Sequence, residues 1–228
     1  MTNYTIQFKH GDDVELEYDD AKHTYMVKGK QVPAVTRIVD AVSPKNLTEW
    51  AVSVGEEEYR RVTDEALNIG NKTHEWIEKY IKLWLFRGYQ TPKTGDKFFN
   101  SVSSFLEWEE KFKPEWLYEE RKIYCDKYNY AGTVDAVAKI NGRVCVIDFK
   151  TSKKIYKPYH LQVTAYAQAI KRIDRLRQWP LGIILRLDKE TGEFQQKVFE
   201  PKDHFKTFIK CMELRQWSSL RIKEANIV

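Results

Sequence analysis

Apolar and polar positions along the chain follow two periods, and the places where one gives way to the other mark the elements. Residues 14–18 and 23–28 alternate with the two-residue period of half-buried strands on either side of a turn at 19–22, and predict an N-terminal β-hairpin. His23 falls on its second strand as an exposed residue. After Pro33 the spacing becomes helical over 35–42; Ser43-Pro44 breaks it, and Asn46 caps a further helix that carries Trp50. Residues 56 to about 86 put apolar side chains on one side and charged ones on the other, a helix ended by Arg87-Gly88. Residues 96 to about 112 repeat that pattern until Pro114 stops it. Strands at 116–124, 133–140 and 143–150 follow, then a helix at 157–172 that packs through Val163, Ala167 and Ile170. Strands at 181–187 and 194–199 and a basic amphipathic helix from about 204 to 221 complete the series.

This succession predicts an α/β (α+β) chain, a mixed central β-sheet flanked by helices, with an N-terminal hairpin and a helical segment ahead of it. We read one domain over 1–228: the hairpin at 1–32, the helical region at 33–112, and the sheet with its helices at 113–228.

One stretch breaks the apolar pattern of its strands. Asn141-Gly142, between 133–140 and 143–150, is a strong signal for a two-residue hairpin turn. Such a turn pairs Ile140 with Arg143, so paired numbers keep a constant sum; Asp135 then falls opposite Asp148, and Thr133 opposite Lys150. Facing Cβ atoms in such a pair lie about 4.5–5.5 Å apart, and like charges placed that way destabilise a sheet. Two reconciliations are open: one carboxyl stays protonated with a raised pKa, or a cation lies between the two. TVDAVA and VCVID read as buried on both sides, which weakens the explanation by a solvated charged face and favours a hard divalent cation. Lys150, two residues beyond Asp148, projects from the same face and adds an ammonium. Removal of Asp135 or Asp148 is expected to abolish the chemistry of the site and leave the fold intact.

Composition sets bounds on this picture. A net charge of +5 with a pI near 8.9 permits a polyanionic partner without requiring one. The cysteines Cys125, Cys145 and Cys211 are odd in number and lack C-x-x-C spacing, so neither a zinc site nor a disulfide framework is indicated. With no apolar run of membrane-spanning length and no signal-peptide pattern at the start, a soluble, cytoplasmic protein without membrane contacts is expected. His74, Ile77 and Ile81 share a helix face that should point inward; His74 is there either a core histidine bonded to a backbone carbonyl or a metal ligand. Glu119 and Glu120 lie on the strand ahead of the hairpin, and either could reach the aspartates or stay solvated. Lys122, Lys127, Lys153, Lys154, Lys157 and Arg172 bracket the hairpin, interleaved with Tyr128, Tyr130, Tyr156 and Tyr159. Basic side chains track phosphates while rings stack on unpaired bases, which suits single-stranded nucleic acid; the plain alternative is a lysine-rich surface over packed tyrosines.

Gly70-x-x-x-His74, a glutamate ahead of the hairpin, Gly132-Thr133-x-Asp135, Asp148-Phe149-Lys150-Thr151 and Gln162-x-x-x-Tyr166 stand in that order. Together they resemble the motifs of the PD-(D/E)xK nucleases, and within them the RecB-like branch. That branch includes helicase-nuclease subunits of bacterial recombination, CRISPR-adaptation nucleases, the mitochondrial genome maintenance exonuclease and many phage exonucleases. The resemblance runs from about Pro33 to Leu187. It implies a restriction-endonuclease-like core and metal-assisted phosphodiester hydrolysis, with Asp135, Asp148, Lys150 and Glu120 as catalytic residues and Glu119 as the alternative to Glu120. One or two Mg²⁺ or Mn²⁺ ions would be held by His74, Asp135, Asp148 and the Phe149 carbonyl. Gln162 and Tyr166, with Thr151, Lys153 and Tyr159, would face the substrate. Iron–sulfur members carry more cysteines around this core than this chain has, so no iron–sulfur cluster is expected. The implied substrate is DNA, single-stranded or at its ends, cut by an exonuclease. A structure-specific endonuclease, an RNase or a catalytically silent nucleic-acid-binding protein on the same fold are the alternatives. Recombination or replication proteins are the implied partners, and a phage-encoded origin in a bacterial host fits the resemblance.

Overall fold

The computed structural model of the chain describes residues 1–9, 11–42, 52–84 and 98–219. The break at Ser43-Pro44, the Asn46 cap with Trp50, the helix end at Arg87-Gly88, the helix start near Asp96 and the terminal helix near 221 lie outside the described residues.

At the N-terminus β1 (Thr2–Ile6), β2 (Val14–Asp19), β3 (Thr24–Val27) and β4 (Lys30–Val32) form a four-stranded antiparallel sheet in that order. The expected hairpin is its centre, β2 and β3. The alternation does not reveal the outer strands because each has a single buried residue, Ile6 in β1 and Val32 in β4. Lys28 and Gly29 close the last turn at φ of 51° and 71°, the left-handed pair that a two-residue hairpin needs. His23 is exposed as expected but sits in the β2–β3 turn, at φ 48°, with Nδ1 2.8 Å from the Tyr18 hydroxyl.

A second sheet runs β5 (Glu115–Cys125), β6 (Tyr130–Ile140), β7 (Arg143–Lys150), β8 (Leu181–Leu187) and β9 (Phe194–Phe199), each beside the next. Within it β7 and β8 are parallel and the other neighbours antiparallel, the mixed sheet expected. The parallel pair is joined by α4 (Lys157–Ile173), a crossover helix. The remaining helices are α1 (Val35–Val39), α2 (Glu56–Leu83), α3 (Phe99–Phe112) and α5 (Phe205–Ser218). Lys113, at φ 45°, caps α3 in the left-handed conformation, and Pro114 prevents its continuation.

Strand alternation divides the apolar side chains between the two faces of this sheet. On one face Ile123, Val134, Val146 and Ile184 meet α1, α4, α5 and the N-terminal sheet. On the other Ala136, Ala138, Ile147 and Leu185 meet Ile77 and Ile81 of α2 and Phe105 and Trp108 of α3. Cys145 packs there as a small buried side chain. Among the described residues no helix is long and apolar enough to cross a membrane.

Candidate active site

The Asn141-Gly142 turn has φ of 49° and 76° and pairs Ile140 with Arg143, and the ladder keeps its constant sum as far as Ala136 and Ile147. There it ends, one step short of the aspartates. The Phe149 N–H, which a longer ladder would give to the β6 backbone, is donated to Asp135 Oδ2 at 2.8 Å. Past this point β6 and β7 part, β6 held by β5 down to Tyr130 and β7 by β8 up to Lys150. This corrects the expectation of a closed Asp135–Asp148 pair: a carboxylate has replaced a ladder carbonyl and opened a cleft between two strands. Thr133, expected opposite Lys150, pairs instead with Lys122, and its hydroxyl lies 2.9 Å from that of Tyr25.

On the other side of β6 the pairing passes from Glu119–Ala136 to Arg121–Val134, skipping Glu120 and Asp135. Glu120 has a φ of 41°, so the backbone inverts where a regular strand would continue. One ligand-type atom each from His74 of α2, Glu120 and Asp135 then lie within 4.8 Å of one another. Glu119 lies instead 4.0 Å from Lys82. Burial raises the Glu120 carboxyl to about 7; Asp135 and Glu78 add to this, while Lys122, 3.9 Å away, opposes it. Glu78 had no place among the expected residues, although its i+4 spacing from His74 puts it on the same helix face.

His74 Nε2 lies 3.1 Å from the Phe149 carbonyl. A carbonyl only accepts, so Nε2 is the donor in this contact, and Nδ1, 3.7 Å from Asp135 Oδ2, is the nitrogen that offers a lone pair in the neutral ring. The two readings of this histidine therefore coexist: one nitrogen satisfies a backbone carbonyl and the other is open to a cation. The Phe149 carbonyl, expected as a ligand, carries that hydrogen bond.

Asp148 is buried and projects with Lys150 from one face of β7. Its Oδ1 accepts from the Lys150 ammonium at 2.9 Å. Its Oδ2 lies 2.8 Å from the same ammonium but outside hydrogen-bond geometry, and has no hydrogen-bond partner among the described residues. Burial raises the Asp148 carboxyl above its ordinary value, with Lys150 opposing and Asp135 adding. Burial pulls the Lys150 ammonium down, but Asp148 and Asp135 outweigh it and keep the lysine charged. Alanine at 148 would strand that charge, which tells against the expectation that Asp148 can be removed without harm to the fold. Two carboxylates and an imidazole nitrogen in one cluster, beside the buried Asp148 carboxylate, are a donor set that fits a divalent cation.

The rest of the cleft comes from α4 and its approach. The Tyr159 ring centre lies 4.9 Å from Lys150 Nζ, and Gln162 Nε2 donates to the Tyr166 hydroxyl at 3.2 Å. Tyr166 packs so closely on Gly132 that a Cβ there would stand 2.8 Å from the ring, and only glycine fits. Thr151 Oγ1 would lie 3.3 Å from a Cβ at Gly70, a second close approach. Lys153 is exposed on the bend after β7, and no hydrogen bond or ion pair joins it to these groups. Two residues of the expected phosphate and stacking surface are otherwise engaged: Arg172 is held by Asp126 at 2.6 Å, and buried Tyr130 donates to the Ala165 carbonyl at 2.8 Å. Lys122 lies over the Tyr18 and Tyr4 rings at 4.8 and 5.7 Å, so the N-terminal sheet flanks the site. No spacing in those first strands ties them to β5.

The family model of the PD-(D/E)XK nuclease superfamily matches residues 89–225. Mitochondrial genome maintenance exonuclease 1 of Xenopus tropicalis is 27% identical over 173 residues, covering 69% of this chain and 48% of its own. The Homo sapiens protein of the same name is 28% identical over 160 residues, covering 61% and 44%. The chain thus spans about half the length of the curated relatives it matches. Among solved structures, SSO0001 aligns over 82% of this chain and 76% of its own, with a TM-score of 0.42 and 16% identity.

Proposed function

The chain belongs to the PD-(D/E)XK nuclease superfamily, and on that premise we propose that it is a Mg²⁺- or Mn²⁺-dependent deoxyribonuclease, an exonuclease acting on single-stranded DNA or DNA ends. The observation that carries this reading is the convergence of His74, Glu120 and Asp135 within 4.8 Å beside the buried Asp148–Lys150 pair. Asp135, Glu120 and Nδ1 of His74 would hold the ion, with Asp148 and the Phe149 carbonyl bordering it. When bound, such an ion supplies Lewis acidity toward the scissile phosphate and makes a neighbouring water more acidic. Lys150, kept charged by the two aspartates, presents an ammonium that holds a water or a phosphate oxygen as negative charge grows on it. Asp148 fixes that ammonium in place, and Tyr159 backs it from α4. The Gln162–Tyr166 pair, lodged against Gly132, would position the substrate backbone.

The exonuclease habit is supported by the name of the relatives, and the preference for unpaired strands by the lysines and tyrosines near the cleft. Digestion of end-labelled linear and circular DNA, single- and double-stranded, with Mg²⁺, Mn²⁺ or EDTA tests both. Linear single strands should be degraded with either ion and survive in EDTA, and Asp148→Asn should slow degradation about a hundredfold or more. Equal rates on circular and linear strands would remove the exonuclease part. Full activity of Asp148→Asn would overturn the assignment of the site.

A further inference from the structure

We infer that a groove between the N-terminal sheet, α1 and α5 binds the phosphodiester backbone of the same DNA strand, a second contact site remote from the metal cluster. This inference rests on the nuclease reading. The groove has a volume of about 830 Å³, and none of the described residues lining it is an acid. Arg37 of α1 and Arg215 of α5 enter it from opposite elements; both are exposed, and among the described residues neither has an ion-pair partner. Arg60, Arg61, Arg121, Arg143, Arg172 and Arg186 are each held by a carboxylate, whereas Arg175 and Arg177, away from the groove, share the unpaired state among the described residues. Two guanidiniums without an ion pair among the described residues, in a groove whose described lining holds no acid, suit phosphate, whose oxygens match the planar fork. Asn129 adds donors: its Oδ1 accepts from the Tyr124 hydroxyl at 3.1 Å, which leaves the amide N–H groups for a ligand. Tyr128, on the same wall and half-buried, offers part of a ring to an unpaired base.

The groove is tied to the cleft through β6. Pro33 and Ala34 line it, and the Pro33 carbonyl accepts from the Ala131 N–H at 3.0 Å while Ala34 bridges Ala131. From Ala131 to Asp135 is about 13 Å along the strand at roughly 3.3 Å per residue. A strand stacked as in duplex DNA, at about 3.4 Å per nucleotide, covers that in about four nucleotides, and an extended single strand in fewer. The groove also lies off the end of β6 at which the cleft opens. An acidic peptide would meet the same guanidiniums, but Tyr128 and the link to the cleft favour DNA.

The test is fluorescence anisotropy with a labelled sixteen-nucleotide oligothymidylate in EDTA, where no cleavage intervenes. Arg37→Ala with Arg215→Ala should bind more weakly than wild type. Its plot of log affinity against log salt should be shallower by about 1.4, from about 0.7 for each of two lost phosphate contacts. Arg37→Lys with Arg215→Lys keeps both charges and should keep the slope, which separates charge from folding; melting temperatures check the latter. Unchanged affinity and slope in the alanine pair would overturn the inference. So would displacement of the oligothymidylate by oligoglutamate at lower concentration than by unlabelled oligothymidylate. A wild type that binds in this way yet cuts no DNA with Mg²⁺ or Mn²⁺ would sink the nuclease reading and leave the groove standing.

Discussion

Glu120 is held in two unfavourable states at once. Its φ of 41° costs a residue with a side chain on the order of 1–3 kcal/mol, and burial beside Asp135 raises its carboxyl to about 7. A folded-state pKa above the ordinary 4.5 favours the folded protein below that value, and the contribution is lost as pH climbs through 7. Above that pH the ionised carboxylate destabilises the metal-free protein. Glu120→Gln should therefore stabilise the metal-free protein by on the order of 1–3 kcal/mol near pH 8 and change it little near pH 4, read by urea denaturation at both. It should also lose most of the stabilisation that Mn²⁺ confers on wild type. Equal midpoints for the two proteins at the higher pH would contradict this account of the residue. Alternation along β5 says that Glu119 and Glu120 point to opposite faces, but not which of them reaches the site. That choice is made by a backbone inversion that no residue type announces.

The turn and the register of the β6–β7 hairpin were legible, because an Asn-Gly turn fixes register and a constant sum follows. Where the ladder stops was not legible, since it depends on Asp135 capturing the Phe149 N–H, an exchange between a side chain and backbone fourteen positions away. The strands β8 and β9 have the bounds read from the sequence, whereas β1 and β4 carry too few inward residues to show a period. Arg121 shows how the elements around the site are tied. Its guanidinium sits 3.1 Å from the Asp174 carboxylate, at the end of α4, and 3.7 Å from the centre of the Tyr118 ring. Both charged groups are largely buried, so Arg121→Ala leaves a carboxylate without its partner and should cost about 3 kcal/mol in chemical denaturation. Adding Asp174→Ala should restore part of that loss, because it removes the stranded charge. A double variant as unstable as the sum of the two singles would show that the pair does not act as a unit.

At the scale of the molecule the candidate site is a meeting place of three elements that the sequence keeps far apart: α2 with His74, the β5–β6–β7 strands with Glu120, Asp135, Asp148 and Lys150, and α4 with Gln162 and Tyr166. The order of these residues carries the family resemblance, and the matched family model covers most of them while leaving His74 outside its range. Their convergence needs the fold: the mixed sheet with α2 on one face and α4 on the other delivers an imidazole and a tyrosine to the two sides of the opening between β6 and β7. The central claim is that this opening holds a divalent ion between His74, Glu120 and Asp135. The most direct measurement is anomalous diffraction from crystals equilibrated with Mn²⁺. A peak is expected about 2.0–2.3 Å from ligand atoms of those three residues, beside Asp148 and Lys150. A fully occupied ion elsewhere, or three side chains that turn away from one another with no peak between them, would contradict it.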